Sequence, residues 1–193
     1  MRYPAGYKQK TGERIVDAAG RLFRKHGYSA TGVDAVMAAA HLTAGGFYSH
    51  FRSKEDLLAA TLDAVFKHSA EDRPQRLNEL SGRAWLQAFV KFYLSKEHRD
   101  ANDRGCPMPA LAAEVARIGG KPRAVFEQHL QRIVDFVAMQ FDTEQPDRER
   151  AIASVALCLG GAMLARTASA GFSDEILAAC RHSAMREIET ASQ

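Results

Sequence analysis

The chain has 193 residues, of which 46% are hydrophobic and 25% charged, so it can hold one domain, or a small domain joined to a larger one, with a sizeable core. Its three cysteines form no CxxC pair and no zinc-ligand spacing with the seven histidines. Their odd number and wide spacing argue against a disulfide scaffold and favour a reducing compartment. The formal net charge is only +3, but it is unevenly placed.

The positive charge is concentrated near the N-terminus. Residues 1–67 hold ten Lys and Arg against six acids, a net charge of +4, whereas the remaining residues hold sixteen against seventeen, a net charge of −1. A basic segment ahead of a nearly neutral body favours a polyanion partner at that end of the chain. The alternative is an ordinary solvated face, since many soluble domains carry such an excess.

Neither a targeting segment nor a membrane span is expected. Residues 1–11 are polar and lack the apolar run of a signal peptide. The most apolar stretch, Ile152 to Ala170, contains Arg166 and several small or hydroxyl-bearing residues, and therefore indicates a buried helix of a soluble protein. These observations predict a cytoplasmic protein.

The first predicted helix covers residues 12–26. Its start is assigned to Thr11 as a capping residue and its end to Gly27, a residue type that commonly follows a helix C-terminus. The apolar positions recur at helical spacing and form one face. They are Ile15, Ala18, Ala19, Leu22 and Phe23.

Three further starts are marked by hydroxyl residues. Thr31 and Asp34 predict a capping box that opens a short second helix. Thr43 is predicted to cap a third helix, Ala44 to Phe51, after a short interruption. Ser53 to Asp56 forms another capping box and opens the fourth helix.

The rest of the chain predicts longer helices separated by polar or glycine-containing breaks. Apolar spacing predicts a fifth helix around Trp85 to Tyr93, a sixth from Pro107 through Ile118, a seventh around Phe126 to Phe141, an eighth around Ile152 to Met163, and a ninth capped by Ser173. The predicted breaks are His98 to Gly105, Gly119 to Pro122, Asp142 to Asp147 and Gly171 to Ser173. No segment shows the alternation of strands, so we expect an all-α fold of about nine helices.

The second and third helices together predict a helix-turn-helix, a unit that reads DNA when its second helix protrudes. Ala44, Gly45 and Gly46 give the clearance that a helix N-terminus needs to approach the major groove, and their backbone N–H groups can meet phosphate oxygens. Tyr48 and His50 add polar atoms on the same short helix.

These residues carry a resemblance to a known family. The runs Thr11 to Tyr28, Thr31 to Ala40 and Leu42 to Leu57, with the pattern Phe-Tyr-x-x-Phe-x-Ser-Lys-Glu over residues 47–55, resemble the tetracycline-repressor (TetR) family. The resemblance implies an N-terminal helix-turn-helix domain, residues 1–55, and a helical effector-binding and dimerisation domain, residues 56–193. It also implies operator DNA, a small-molecule effector and a second copy of the chain as partners.

Carried over by position, the resemblance implies phosphate contacts at two capping residues and one lysine, and groove or backbone contacts along the third helix. The residues are Thr31, Thr43 and Lys54 for phosphate, and Ala44, Gly45, Gly46, Tyr48 and His50 for the groove or backbone. Arg14 is a further candidate for backbone contact. His41 stands in the turn where the family usually has glycine, and histidine tolerates a left-handed conformation better than most residues. The alternatives are simple caps, a packed tyrosine and solvated cations.

For the C-terminal body, the resemblance implies that the last two long helices pair with their copies in a homodimer. The eighth helix suits this role because it is apolar nearly all round and because Gly160 and Gly161 permit close backbone approach. The alternative is an ordinary central helix of the monomer core.

The resemblance also implies an effector site among the fifth to eighth helices. A hydrophobic or aromatic ligand would suit the candidate lining, for which plain core is the alternative. The candidates are Trp85, Phe89, Phe92, Tyr93, Cys106, Met108, Leu111, Phe126 and Leu130. Cys106 precedes a helix N-terminus, where a thiol can become reactive, so that the effector would be an electrophile. The alternative is that Cys106 is a small buried residue.

The function predicted from the sequence is therefore a TetR-like regulator, a repressor that its effector releases from the operator, with no catalytic residues, metal or cofactor. An activator would use the same chemistry. The alternative of another class is a ligand-binding or thiol-based enzyme-like protein with a vestigial helix-turn-helix. Its nucleophile would be Cys106, with His98 or His129 as the base.

Overall fold

The computed structural model describes residues 6–71, 75–101 and 106–189. Over these ranges every regular element is a helix, which confirms the all-α fold. Ten are α-helices and one is a 3₁₀ helix. The helices that were not predicted, α4 (Gln75–Asn78) and α6 (Lys96–Asp100), have four and five residues, too few to show a hydrophobic periodicity.

The chain forms two compact units, each built from two segments. Unit 1 comprises residues 1–70 and 106–128, and unit 2 comprises residues 71–105 and 129–193. The sixth predicted helix therefore belongs to the same unit as the helix-turn-helix. The predicted boundary after residue 55 separates two functions, DNA binding and effector binding, and stays a prediction.

Unit 1 contains the N-terminal helices and one helix from the middle of the chain. The elements are α1 (Tyr7–His26), α2 (Val33–Ala39), the 3₁₀ helix (Ala44–Ser49), α3 (Lys54–Glu71), α7 (Pro107–Ile118) and the first part of α8 (Gly120–Phe141). Pro107 opens α7 as predicted, because its missing N–H and fixed φ suit a first turn. The fully buried side chains include Ile15, Phe23, Phe47, Leu57, Leu58, Leu62 and Leu111.

The start of α1 differs from the prediction. The helix begins at Tyr7, after Gly6, so that Thr11 lies inside it. The Thr11 hydroxyl donates to the Tyr7 carbonyl oxygen at 2.8 Å, and the prediction that Thr11 is a cap is wrong. Gly27 ends α1 as predicted, with φ +84°, and its N–H donates to the Phe23 carbonyl oxygen.

The capping predictions have mixed outcomes. The residue before α2 is Gly32, and the Thr31 hydroxyl donates to the Gly27 carbonyl oxygen at 2.7 Å, so the capping box at Thr31 is wrong. Thr43 does precede the 3₁₀ helix, but its side chain makes no capping hydrogen bond. The Ser53 hydroxyl accepts from the Asp56 N–H at 3.2 Å, which confirms that cap.

Unit 2 contains α4, α5 (Gly82–Tyr93), α6, the rest of α8, α9 (Arg148–Thr167) and α10 (Ala170–Glu189). The predicted loop from His98 is partly wrong, because His98 lies in α6; residues 102–105 of that prediction lie outside the described residues. The loop at residues 142–147 is confirmed. By length and composition alone, α9 is long and apolar enough to cross a membrane. The core helix of a soluble protein passes the same test, and 39% of the most apolar part of α9 is buried.

Helices α9 and α10 form a tight hairpin. The predicted break at residues 171–173 is wrong, because α10 begins at Ala170 and the Ser169 carbonyl oxygen accepts from the Ser173 N–H. Ser173 is 2% exposed. Its hydroxyl donates to the Ala165 carbonyl oxygen at 2.7 Å and accepts from the Arg99 guanidinium at 2.8 Å, which joins α9, α10 and α6.

Candidate nucleic-acid interface

The 3₁₀ helix, Ala44–Ser49, is exposed over most of its surface. Thr43, Ala44 and Gly45 are exposed, Gly46 is half-buried, and Tyr48 is 75% exposed. A Cβ added at Gly45 would meet nothing within 4 Å. This is the arrangement that a DNA-reading element needs, although the predicted α-helix through Phe51 is a shorter 3₁₀ helix.

Phe47 anchors this exposed element to unit 1. It is 1% exposed, and its ring lies 5.8 Å from the Phe51 ring and 5.2 Å from the Tyr48 ring. A Cβ added at Gly46 would lie 3.5 Å from the Met37 Cε, so this glycine sits against α2 at ordinary contact distance. The buried Phe47 therefore holds the backbone while Tyr48 points outward.

The turn before the 3₁₀ helix is a Schellman motif with histidine where glycine is usual. His41 has φ +55°. The Leu42 N–H donates to the Met37 carbonyl oxygen and the His41 N–H to the Ala38 carbonyl oxygen, both at 2.9 Å, which is the bonding pattern of this motif. His41 thus adopts the left-handed conformation that histidine tolerates better than most residues. The motif fixes the angle at which the 3₁₀ helix leaves α2.

Three of the predicted phosphate-binding residues have polar atoms engaged inside the protein. The Arg14 guanidinium donates to the Ala40 carbonyl oxygen at 2.5 Å, at the end of α2. The Thr31 hydroxyl is bonded within its own turn, and the residue is 3% exposed. The Lys54 Nζ donates to the Tyr28 carbonyl oxygen at 2.7 Å and lies 4.1 Å from the centroid of the Tyr28 ring. Phosphate contact at these positions stays a prediction; Lys54 retains two further N–H donors for it.

Burial and charge shift the titration of this cluster. Burial lowers the pKa of Lys54, against the opposing effect of Glu114 and Glu55. Burial, followed by the neighbouring Glu55 carboxylate, raises the pKa of Tyr28 to about 12. Lys54 is therefore a partly buried cation that its neighbours hold in place, and it is not freely solvated.

Sequence reasoning missed Glu114, on α7. Its carboxylate accepts from the Tyr28 N–H and from the Ser29 N–H, both at 2.8 Å. The contact joins residues 86 and 85 positions apart, which no local pattern reveals. The available signal was composition: Glu114 is the single acid in the predicted sixth helix.

The predicted effector residues divide between the two units. Cys106, Met108, Leu111 and Phe126 belong to unit 1, and Trp85, Phe89, Phe92, Tyr93 and Leu130 belong to unit 2. In unit 1, Met108 and Leu111 are each 2% exposed, Cys106 is half-buried before α7, and the Phe126 ring lies 5.8 Å from the Phe66 ring. Their effector role stays a prediction.

In unit 2, the aromatic candidates form a ladder along α5. The Trp85 ring stacks on Phe89 with centroids 4.8 Å apart, Phe89 lies 5.5 Å from Tyr93, and Tyr93 lies 4.2 Å from His98. His98 is 7% exposed. Burial, followed by the Arg166 charge, lowers the pKa of His98 to about 4, so it would be a weak base at neutral pH.

An exposed stripe runs along α9 at helical spacing. Ile152 is 51% exposed and Met163 is 46% exposed, and Ala156 is exposed between them. A Cβ at Gly160 would meet nothing within 4 Å, whereas one at Gly161 would lie 2.9 Å from the Leu94 Cδ2 and 3.0 Å from the Cys180 Cβ. Gly160 therefore faces outward with the stripe, and Gly161 faces the core.

Comparisons with known proteins agree with this geometry. Residues 15–61 match the family described as bacterial regulatory proteins, tetR family. The HTH-type transcriptional regulator TtgR of Pseudomonas putida is 35% identical over 104 residues, which cover 49% of this chain and 49% of that protein. The uncharacterized HTH-type transcriptional regulator YerO of Bacillus subtilis (strain 168) is 32% identical over 93 residues, 46% of this chain and 32% of that protein.

The chain thus spans about half or less of the length of these curated relatives. The likeness in three dimensions is more extensive. The crystal structure of a TetR transcriptional regulator from Chloroflexus aurantiacus J-10-FL is 25% identical, with a TM-score of 0.77 over 94% of this chain and 96% of that chain. The fold of both units is therefore shared with a solved regulator.

Proposed function

We propose that this chain, whose residues 15–61 match the tetR family of bacterial regulatory proteins, is a DNA-binding transcriptional regulator of that family. It acts as a homodimeric repressor in the cytoplasm, and a small hydrophobic or electrophilic effector releases it from its operator. The observation that carries the proposal is the exposed 3₁₀ helix, with Tyr48 75% exposed on a backbone anchored by the buried Phe47.

In the proposed complex, the 3₁₀ helix enters the major groove. Thr43, Ala44, Gly45 and Gly46 bring the backbone N–H groups close to phosphate or base edges, and Tyr48 and His50 supply polar side-chain atoms. Lys54 supports the adjoining loop and offers its remaining N–H groups to a phosphate. Most of the affinity comes from phosphate contacts, so it falls steeply with salt.

The second copy pairs through the exposed stripe of α9. Ile152 and Met163 carry apolar surface there, and Gly160 lets two backbones approach closely. A twofold dimer places two reading elements on successive turns of one duplex face, which a monomer does not do.

The candidate effector lining in unit 2 is the aromatic ladder of α5. The candidates in unit 1 are Cys106, directly before α7, and Met108 and Leu111 within it. To release DNA, the effector binds the DNA-free state better than the DNA-bound state. A reactive Cys106 thiol would extend the effector class to electrophiles.

The proposal is tested by selecting duplexes from a random library with the wild-type protein and measuring their affinity by gel shift. Tyr48→Ala is expected to weaken binding to the selected duplex by about tenfold or more, as for the loss of a groove contact. Its melting temperature stays close to that of the wild type, because the side chain is exposed. Tyr48→Phe, which keeps the ring, separates the hydroxyl from the ring contribution. Failure of the library to enrich, or wild-type affinity in Tyr48→Ala, would contradict the proposed interface.

A further inference from the structure

The loop between α1 and α2 is held by two side chains of opposite charge. At Tyr28, the backbone N–H donates to the Glu114 carboxylate at 2.8 Å, and the backbone carbonyl oxygen accepts from the Lys54 Nζ at 2.7 Å. Both polar groups of this residue's main chain are therefore satisfied by charged side chains from α7 and from the first turn of α3. Hydrogen bonds of this kind are shorter and stronger than bonds between neutral groups.

Glu114 uses both of its carboxylate oxygens on this loop. Oε2 accepts from the Tyr28 N–H and Oε1 from the Ser29 N–H, each at 2.8 Å. Gly27 makes room for this approach: with φ +84°, it would place a Cβ 3.3 Å from Oε2. Two successive main-chain N–H groups are thus fixed by one carboxylate.

A second contact ties the same region to α3. Lys121, in the first turn of α8 and directly after α7, forms an ion pair with Asp56 in the first turn of α3. Helix α7, through Glu114, therefore contacts the α1–α2 loop, and the first turn of α8, through Lys121, contacts the start of α3. Both contacts lie close along the chain to α2 and the 3₁₀ helix.

We propose that Glu114 is a positioning residue for the DNA-reading element: by clamping the Tyr28 and Ser29 amides, it fixes the α1–α2 loop and hence the placement of α2 and the 3₁₀ helix it supports. The proposal rests on the proposed DNA-binding function. It assigns to α7 a part in setting operator affinity, although α7 lies in the region predicted to serve the effector. Displacement of α7 by about 1 Å would lengthen both hydrogen bonds beyond their useful range.

The variant Glu114→Gln separates positioning from electrostatics. It removes a negative charge from unit 1, which by Coulomb attraction alone strengthens binding to a polyanion. If Glu114 positions the loop, the same variant weakens binding instead, because an amide presents an N–H donor to one of the two backbone N–H groups. Glu13→Gln is the matched control, since it makes the same charge change at an exposed position of α1.

Two measurements test the inference. Amide hydrogen exchange, followed by NMR without DNA, is expected to be at least about tenfold faster at Tyr28 and Ser29 in Glu114→Gln, but unchanged in Glu13→Gln. Gel shifts with a duplex selected by the wild type are expected to show about fivefold to tenfold weaker binding for Glu114→Gln at an unchanged salt slope, because no phosphate contact is lost.

Unchanged exchange at both amides would overturn the clamp. Faster exchange with unchanged or tighter DNA binding would overturn the positioning role while leaving the regulator proposal intact. A wild-type protein that binds no selected duplex would refute the proposed function itself, a result visible before any variant is made.

Discussion

Gly160 and Gly161 are adjacent on α9, yet replacing each by alanine is expected to change the stability by different amounts. In a helix interior, alanine is more favourable than glycine by about 1 kcal/mol. At Gly160 nothing lies within 4 Å of the new Cβ, so Gly160→Ala keeps the whole gain. At Gly161 the Cβ would lie 2.9 Å from the Leu94 Cδ2 and 3.0 Å from the Cys180 Cβ and Sγ.

The steric overlap of the new Cβ at Gly161 cancels or outweighs the gain in helix stability. Leu94 is 0% exposed, and the Cys180 Cβ is fixed to the backbone of α10, so neither neighbour yields easily. Overpacking of this kind costs about 1–3 kcal/mol, which leaves Gly161→Ala between unchanged and about 2 kcal/mol less stable than the wild type. The two variants should therefore differ by about 1–3 kcal/mol, or roughly 2–4 °C in Tm for each kcal/mol.

Urea unfolding followed by circular dichroism, at several protein concentrations, measures this difference. The concentration series matters because the stability of a dimer depends on it. If copies pair through the α9 stripe, Gly160→Ala also weakens the dimer in sedimentation experiments, although it stabilises the helix. Equal stability of the two alanine variants would refute the assignment of one glycine to the core and the other to the surface.

Three other predictions concern unit 1. His41→Gly should stabilise the protein by about 1 kcal/mol in urea unfolding, because glycine adopts the left-handed conformation without the steric cost that histidine carries; a lower urea midpoint would contradict the strain at this turn. If Lys54 also contacts a phosphate, Lys54→Ala should weaken binding to all duplexes alike and flatten the slope of log affinity against log salt by about one. An unchanged slope would mean that Lys54 contacts Tyr28 but no phosphate. The third prediction concerns stability at acidic pH. Burial raises the pKa of Glu114, but the hydrogen bonds from Ser29 and Tyr28 outweigh it and hold the pKa below its usual value of 4.5. The stability that Glu114 contributes is therefore present above about pH 4.5 and lost as the pH falls through the lowered pKa; the difference in unfolding free energy between wild type and Glu114→Gln should shrink in that range, and a constant difference would contradict it.

The fold was largely predictable because its long helices have a strong periodicity. The apolar face of α1 and the proline that opens α7 are local signals that tertiary packing did not override. The capping predictions at Thr11 and Thr31 failed because a hydroxyl can also donate to the carbonyl oxygen four residues earlier, and both do so. The prediction that Ser173 caps a helix failed for the same reason, because its hydroxyl donates to the Ala165 carbonyl oxygen instead.

The candidate site was predictable only in part. The exposed Tyr48 and the small residues before it follow from a short glycine-containing helix, which is a local feature. The engagement of Lys54 with Tyr28 and the clamp by Glu114 depend on contacts 26 and 86 residues apart in the chain. Gly160 faces outward and Gly161 faces the core because of where α10 packs. The Gly-Gly sequence alone does not specify this packing.

The aromatic ladder of α5 has a practical consequence, because the chain contains a single tryptophan. Trp85 is 3% exposed and stacks on Phe89, so its indole should emit at short wavelength and resist quenching by acrylamide. All of this emission originates in unit 2, whereas circular dichroism follows helices of both units. Denaturation curves from the two signals would superimpose if the units unfold together and separate if one melts first. The native chain thus carries its own label for distinguishing the two halves.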